Sequence, residues 1–492
     1  MKRMRCKAYM YRMFIGFCGV FTTSLFSGCI SEMVEPEPVA VEIHAGYTIQ
    51  LASSFKNVQW ESDNPSVATV SSTGLVTALR KGAATISTSS EGKRRVVCYL
   101  DVYPKRNILF YIGGDNNLSN EAYQKINEIR AGWSPDKGEM IIYVDHLEDG
   151  AALLRVNDLK GTNERYGLDT IAVYGIENSA ASAVLTRVIN TMKQHFPADH
   201  YGMIFFSHAS GWLPEGMLNR PRSMVIDQEN DTNREMEYAD FASAIPDRQF
   251  DFIILEACLM ADVMSMYEMR NKAGYILASS AEIVSPGFTY IYKDEIMRLY
   301  DTKNDVRTVV SGFGQSYYRF ITTHFAEHDI SCSVTMSLIK ADEMERLASA
   351  TKTALQGAET DETTVPLDRM QSFDRPNKLI NSGYNRKSRY FDFARVVEEI
   401  ASDAHYAAFC EQLDKTVVWK EQTKRFLLSG SDETPYFGEY DGFFIERHSG
   451  LTTYIKQSIY PALNVAFENS SWYKAVSRID SQSGKIRNAM YD

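Results

Sequence analysis

The chain has 492 residues, of which 44% are hydrophobic and 23% are charged, and its formal net charge at pH 7 is −11. This length is too great for one hydrophobic core, so two or three domains are expected. The composition is that of an ordinary globular protein, which excludes disordered and fibrous classes. The acidic balance argues against a nucleic acid partner and against broad electrostatic binding to membranes.

The first 28 residues differ from the rest of the chain. Five basic residues between Lys2 and Arg12 precede an apolar run over residues 13–26, and no acidic residue occurs before Glu32. A basic start followed by a short apolar run is typical of a secretory signal peptide. The run is also shorter than the ~20 residues that a membrane-spanning helix needs. We therefore predict a signal peptide over residues 1–28.

The segment at the end of the apolar run predicts how the protein is attached to a membrane. Leu25-Phe-Ser-Gly-Cys29 resembles the bacterial lipobox, in which the cysteine is lipidated and becomes the new N-terminus. The resemblance implies lipidation at Cys29 and an exported bacterial lipoprotein, held by its lipid at the outer membrane or cell surface. The alternatives are a plain signal peptide cut nearby or an uncleaved anchor. Residues 29–38, rich in Glu and Pro, are then a solvated tether.

Residues 39–103 predict a separate all-β domain. Seven short apolar runs in this segment are separated by turn residues, which is the pattern of a β-sandwich. The string from Trp60 to Val70, followed by Gly74-Leu-Val76 and Lys81-Gly-Ala-Ala-Thr-Ile86, resembles bacterial Ig-like domains of the second type. By this resemblance, the domain is a spacer or an adhesion module without chemistry.

From Arg106 onwards, apolar strands alternate with helices. The predicted strands cover residues 107–112, 140–144, 201–206, 250–255 and 275–278. The predicted helices between and after them cover residues 118–129, 183–195, 238–244 and 263–269. Strands that are apolar on both faces and separated by helices predict an α/β domain with a mostly parallel sheet covered on both sides. Further helices are predicted at 305–320, 341–355 and 391–401, and further strands at 332–338 and 451–455.

Two reactive side chains follow neighbouring predicted strands. His208 comes after the strand over 201–206, and Cys258 comes after the strand over 250–255. Because the carboxyl ends of parallel strands meet at one edge of a sheet, we expect the two side chains to lie close together. A thiolate attacks carbonyl groups, and an imidazole can take its proton and later protonate the leaving amine. The N–H groups of Ala209 and Cys258 would then face the oxyanion.

A buried core thiol is the commoner explanation of a cysteine after an apolar strand. The other cysteines of the predicted domains, Cys98, Cys332 and Cys410, have no histidine at a neighbouring strand end, and we interpret them as structural. The spacing of the cysteine and histidine residues does not predict a zinc site, and no segment has the pattern of a calcium loop. We therefore predict no metal and no cofactor.

The two segments that contain His208 and Cys258 resemble a known family. Residues 198–212 are similar to the catalytic-histidine segment of the clostripain-like cysteine peptidases, and residues 250–260 are similar to their catalytic-cysteine segment. Residues 111–118, 285–290 and 448–455 resemble further motifs of the family, in the family's order. The resemblance covers residues 106–492. It implies a caspase-like fold, a His208–Cys258 dyad and endopeptidase activity on peptides or proteins. Some relatives depend on calcium, but this family analogy alone does not lead us to predict an ion here.

This sequence departs from the family pattern at two places near the predicted dyad. Ala209 stands where the family usually has Gly, which adds a methyl group beside the substrate. Glu256 stands where the family usually has an Asp that is tied to choosing Arg or Lys at the cleavage position. Since the charge is kept, Glu256 is a substrate-binding candidate and a basic preference is expected. The alternative is that Glu256 only forms a salt bridge. Ile291 replaces a second acid found in some relatives.

Two functions have support in the sequence, and a third, a hydrolase that uses the same dyad on another class of bond, has none. The first is a lipid-anchored endopeptidase that uses the His208–Cys258 dyad. The second is a binding or adhesion lipoprotein whose peptidase fold is catalytically inactive. Some relatives activate by cutting themselves after a basic residue, and Arg220, Arg222 and Arg234 in the polar segment after Trp212 suggest the same here.

Overall fold

The structure is a computed structural model. It describes residues 37–53, 57–135, 137–146, 150–161, 165–215, 224–227, 234–327, 329, 331–374, 388–426 and 443–477. The described residues from Val39 onwards belong to one compact unit. The predicted signal peptide, Cys29 and most of the tether lie outside the described residues, as do Arg220 and Arg222.

The N-terminal strand-rich region is a two-sheet sandwich, as predicted. Its seven strands are β1 (Val39–His44), β2 (Thr48–Gln50), β3 (Gln59–Ser62), β4 (Ala68–Val70), β5 (Leu75–Ala78), β6 (Gly82–Ser90) and β7 (Lys93–Tyr103). One sheet has the order β1-β7-β6-β3 and the other has the order β2-β5-β4. Val76, Ile86 and Leu100 are buried between the sheets, so the sandwich has its own hydrophobic core.

The rest of the described chain is organised around a nine-stranded sheet. Its strands are β8 (Arg106–Gly114), β9 (Met140–His146), β10 (Ala151–Lys160), β11 (Tyr166–Gly175), β12 (His200–Phe206), β15 (Phe250–Glu256), β16 (Ala273–Ala278), β17 (Thr335–Lys340) and β19 (Val417–Gln422). Short strand pairs outside this sheet join β13 (Ile226–Asp227) to β14 (Arg234–Glu235), β18 (Phe391–Asp392) to β22 (Thr452–Thr453), and β20 (Arg425–Phe426) to β21 (Phe443–Phe444).

The sheet order is β11-β10-β9-β8-β12-β15-β16-β17-β19. The five central strands, from β9 to β16, run parallel to one another, as predicted. The two strands at each edge are antiparallel, so the sheet is mixed. The hairpin β10–β11 and the edge strand β19 are absent from the sequence prediction. The prediction of a mostly parallel sheet therefore describes the centre of the sheet and omits both edges.

Helices cover both faces of this sheet. They are α1 (Ser119–Gly132), α2 (Ser182–His195), α3 (Tyr238–Ala244), α4 (Val263–Glu268), α5 (Thr289–Glu295), α6 (Val306–His324), α7 (Met344–Leu355), α8 (Phe393–Ile400), α9 (Asp403–Thr416), α10 (Pro461–Asn469) and α11 (Ser471–Val476). Leu109 and Tyr111 of β8 belong to the core on one face, and Ile108 and Phe110 belong to the core on the other. This alternation is the two-residue period of a strand buried on both sides.

None of the helices among the described residues is both long enough and apolar enough to cross a bilayer.

The sandwich packs against the amino ends of the central strands. Nζ of Lys81 lies 2.7 Å from Oε1 of Glu139, the residue before β9. Tyr47 donates a hydrogen bond from its hydroxyl to Asp199, the residue before β12, at 3.0 Å. The side chain of Glu139 is nearly buried and also accepts a hydrogen bond from Nε of Arg155 at 2.8 Å. The carboxyl ends of the same strands lie at the opposite edge of the sheet.

Candidate active site

The register of the central strands positions the two predicted catalytic residues. β12 and β15 are paired in parallel, and Phe206 is opposite Glu256 at the ends of both strands. His208 and Cys258 each follow two residues later. Since neighbouring strands are about 4.8 Å apart, both side chains begin at the same edge of the sheet, on adjacent loops. Both are half-buried, which leaves part of each side chain accessible.

The two loops contact each other directly. Gly211 has a φ of +58°, and a Cβ added to it would lie 2.5 Å from the carbonyl oxygen of Leu259. Leu259 itself has a φ of +61°, in the left-handed region that non-glycine residues seldom adopt. Any side chain at Gly211 would therefore push apart the loop that follows β12 and the loop that follows β15. Leu259, which follows Cys258, and Gly211, three residues after His208, therefore pack against each other.

His208 is oriented by a residue from a third loop. Its Nε2 lies 2.6 Å from Oδ1 of Asn117, which follows β8, the other neighbour of β12. An amide oxygen can only accept a hydrogen bond, so Nε2 must carry the proton. In a neutral imidazole the nitrogen without a proton is then Nδ1. Asn117 belongs to the motif over residues 111–118, but nothing in the sequence indicates its contact with His208.

Cys258 lies beside the segment that follows β16. Its Sγ accepts a hydrogen bond from the backbone N–H of Ile283 at 3.4 Å. The adjoining backbone is fixed by two bonds, from Leu259 N–H to the carbonyl of Ala281 and from Ala261 N–H to the carbonyl of Ser279, both at 2.9 Å. Cys258 is not in a disulfide, and neither are the other cysteines of the described chain, Cys98, Cys332 and Cys410.

Glu256 points into the protein and is paired with a lysine. Nζ of Lys125, in α1, lies 2.7 Å from Oε1 of Glu256, and both side chains are buried. Glu256 also accepts hydrogen bonds from the N–H of Phe288 and the hydroxyl of Tyr292, each at 2.6 Å. Burial raises the pKa of Glu256, whereas the Lys125 charge and the donated hydrogen bonds oppose that rise. The structure therefore agrees with the alternative interpretation, in which Glu256 only forms a salt bridge. Its carboxylate points into the protein and not towards a substrate.

The other residues singled out near the sheet edge have different surroundings. Ala209, the predicted second oxyanion donor, is buried directly after His208. Asp145 is the next-to-last residue of β9 and is buried, and its pKa is raised to about 8, first by burial and then by the charges of Asp227 and Asp115. In the part of the chain that the structure describes, no group of three or more His, Cys, Asp or Glu side chains is arranged to hold a metal ion.

Two protein-family models match this chain, one in the peptidase region and one in the N-terminal sandwich. The model of the Clostripain family matches residues 110–459, which is more than half of the chain. The model of the bacterial Ig-like domain of group 2 matches residues 37–98. A curated relative, clostripain from Hathewaya histolytica, is 26% identical over a 215-residue alignment, and the match covers 38% of this chain. The match spans 41% of that relative's own length.

Two solved structures resemble the chain over most of its length. One is an inactive zymogen C11 protease from Parabacteroides distasonis, with a TM-score of 0.63 and 26% identity. The other is a secreted C11 cysteine protease from Bacteroides thetaiotaomicron in complex with an irreversible peptide inhibitor, with a TM-score of 0.62 and 26% identity. Each comparison covers 76% of this chain and 99% of the other protein.

A mixed sheet with helices on both faces, matched to these structures, defines the class of cysteine peptidases with a caspase-like fold. Within that class, the chain belongs to the clostripain family. It carries a bacterial Ig-like domain before the peptidase region.

Proposed function

We propose that this protein is an exported, lipid-anchored cysteine endopeptidase with Cys258 as nucleophile and His208 as general base. The observation that carries the proposal is the pairing of Phe206 with Glu256, because it brings His208 and Cys258 to one edge of the sheet on adjacent loops. The secreted relative that binds an irreversible peptide inhibitor supports both export and reaction with a peptide-like molecule.

The reaction follows from the tautomer of His208. Nδ1 takes the proton of the Cys258 thiol while Nε2–H stays bonded to Asn117. The thiolate, stabilised by the N–H of Ile283, attacks the carbonyl carbon of the substrate. The C–N bond breaks as Nδ1–H protonates the leaving amine, and an acyl-thioester remains on Cys258. Water, deprotonated by His208, hydrolyses the thioester and restores the thiol.

The oxyanion of the tetrahedral intermediate needs donors at the same edge. We assign this role to the backbone N–H groups of Ala209 and Cys258, which begin the two adjacent loops. Because the donors are backbone groups, the replacement of the family's usual Gly by Ala209 keeps the N–H in place. Ala209 is buried among the core residues on one face of the sheet, so the methyl group expected beside the substrate belongs to that core instead.

Attachment to a membrane rests on Cys29 and on its position after the apolar run. A single acyl chain binds membranes weakly, so stable anchoring requires the multiple acylation typical of a lipidated N-terminal cysteine. The substitution Cys29→Ser is expected to move the protein from the membrane fraction to the soluble fraction of bacterial cells. Peptidase activity should be unchanged. A variant that stays with the membrane would refute the anchor.

A preference for Arg or Lys is not part of this proposal, because the carboxylate on which that prediction depended is in a filled ion pair. Self-cleavage after a basic residue remains a hypothesis. Of the three candidate arginines, Arg234 is exposed in β14, and the other two lie outside the described residues. An intact purified chain that is fully active would refute this hypothesis.

One experiment separates an active peptidase from a binding protein with an inactive peptidase fold. The mature protein is incubated with a mixture of fluorogenic peptides that differ at the cleavage position, beside the variant Cys258→Ala. The matched control is Cys410→Ala, which removes another half-buried thiol. We expect turnover by the wild type and by the control, and none by Cys258→Ala. Absence of turnover by the wild type on every peptide would favour the binding protein.

A further inference from the structure

The buried pair of Lys125 and Glu256 lies at the end of the strand that leads to the proposed nucleophile. Glu256 is two residues before Cys258 in the chain, at the last position of β15. Its partner Lys125 is a buried residue of the helix α1. The ammonium of Lys125 also lies 4.2 Å from the ring centroid of Phe206, which pairs with Glu256 across the sheet.

Every donor of the lysine has an acceptor. Nζ of Lys125 donates to Oε1 of Glu256 at 2.7 Å, to the carbonyl of Pro286 at 2.8 Å and to the hydroxyl of Thr289 at 2.9 Å. An ammonium group has three N–H bonds, so this side chain is fully satisfied without water or substrate. The lysine therefore joins α1, the end of β15 and the turn before α5.

Both oxygens of the Glu256 carboxylate also have hydrogen-bond donors within the protein. Oε1 accepts from Lys125 and from the N–H of Phe288, and Oε2 accepts from the hydroxyl of Tyr292. Gly287, with a φ of +59°, closes over the carboxylate so tightly that an added Cβ would collide with Oε1 of Glu256. No face of Glu256 is open for a ligand cation to approach.

The charges of the pair cancel inside the protein. A basic substrate side chain gains binding energy at a buried site only when it meets an unpaired carboxylate, since burying a cation otherwise has a large desolvation cost. Here the carboxylate already has its cation, and a second one would also be repelled by Lys125. An uncharged side chain meets neither effect.

We propose that Lys125 takes, from within the chain, the place of a positively charged substrate group at Glu256, so that the peptidase cuts without requiring Arg or Lys at the cleavage position. This inference rests on the proposed peptidase function and specifies its substrate class as peptides with an uncharged as well as a basic residue there. Lys125 and Glu256 act on specificity through their mutual pairing, and neither contacts the reacting bond.

The test uses two peptides that are identical except for the residue at the cleavage position. One has Arg and the other has citrulline, which has nearly the same shape but no charge. We expect the ratio of kcat/KM for Arg over citrulline to lie within about tenfold of unity for the wild type. We also expect Glu256→Gln to leave that ratio within about threefold of the wild-type value. A hundredfold preference for Arg, lost in Glu256→Gln, would overturn the inference.

A stability measurement distinguishes the ion pair from a substrate-facing carboxylate. Glu256→Gln leaves the buried Lys125 charge without its counter-charge, whereas Lys125→Met combined with Glu256→Gln removes both charges. We expect the single variant to have a lower Tm than the double variant. Equal Tm values for the single variant and the wild type would contradict the buried pair.

If the proposed peptidase function itself is wrong, the same experiments give a different result. In that case neither peptide is cut by the wild type, and an irreversible peptide inhibitor with an uncharged residue at the cleavage position leaves Cys258 unmodified. The specificity inference then falls together with the function on which it rests. Turnover of both peptides at similar rates supports the two together.

Discussion

Nε2 of His208 lies 2.6 Å from Oδ1 of Asn117, and these residues follow β12 and β8, which are neighbours in the sheet. An amide oxygen only accepts, so Nε2–H is the donor of this contact and Nδ1 is the nitrogen that takes the thiol proton in the proposed mechanism. In that mechanism Asn117 is a positioning residue that acts through His208.

Removing the Asn117 amide should slow catalysis without unfolding the protein. We expect Asn117→Ala to lower kcat/KM by about 10- to 100-fold, since an imidazole free to rotate or change tautomer is a poorer base. Asn117→Asp keeps an oxygen acceptor and should retain more activity than Asn117→Ala. Steady-state kinetics of both variants, with Tm values as a folding control, test this role. Equal losses in the two variants would contradict it.

The buried carboxyl of Asp145 makes stability depend on pH. Its pKa is raised to about 8 in the folded protein, first by burial and then by Asp227 and Asp115, whereas the ordinary value is 3.8. Above pH 4 the unfolded chain loses a proton that the folded chain keeps, so this residue makes stability fall as pH rises from about 4 to about 8. Asparagine resembles the protonated acid.

We therefore expect Asp145→Asn to match the wild type near pH 4 and to exceed its stability by about 1 kcal/mol or more at pH 8. Urea denaturation at pH 4, 6 and 8 measures the difference. The exposed Asp101→Asn is the control and should give parallel curves at all three values. A difference between Asp145→Asn and the wild type that does not grow with pH would show that this carboxyl is ionised in the folded protein.

Glu139 joins the Ig-like sandwich to the peptidase sheet. It is nearly buried and pairs with Lys81 of the sandwich at 2.7 Å and with Arg155 of β10 at 2.8 Å. Glu139→Gln removes the charge that both cations share, so we expect a loss of about 1–3 kcal/mol in the free energy of unfolding. The control is Glu61→Gln, whose ion pair with Arg94 is exposed, and which should change stability by less than about 1 kcal/mol.

Both variants are compared by urea denaturation, and limited proteolysis at the junction reports whether the sandwich loosens. If Glu139→Gln were no less stable than Glu61→Gln, the contact would have no role in holding the two parts together.

The central part of the fold follows from the sequence because its signals are local. Each of the five parallel strands contains a continuous apolar run, and the helix over residues 238–244 has the predicted bounds. The hairpin β10–β11 was missed because it lies at the sheet edge, where Leu159 and Val173 are exposed and no regular apolar alternation survives. The edge strand β19 contains Lys420 and Glu421 and carries an equally weak pattern.

The candidate site was only partly predictable, because some of its contacts join residues that are far apart in the chain. His208 and Cys258 stand directly after apolar strands, and this position is visible in the sequence. Lys125 lies in the amphipathic helix α1, where a lysine is ordinarily solvated, and nothing near it in the chain indicates its distant partner Glu256. The Asn117–His208 contact likewise joins residues 91 positions apart, and only the strand order brings them together.

The most direct test of the central claim is to map where an irreversible, thiol-reactive peptide inhibitor attaches. The mature protein and the variant His208→Ala are each treated with a peptidyl acyloxymethyl ketone, digested and measured by mass spectrometry. The account predicts a single adduct on Cys258 in the wild type and at least tenfold slower labelling in His208→Ala. An adduct on Cys332 or Cys410 instead, or equal labelling rates in the two proteins, would contradict it.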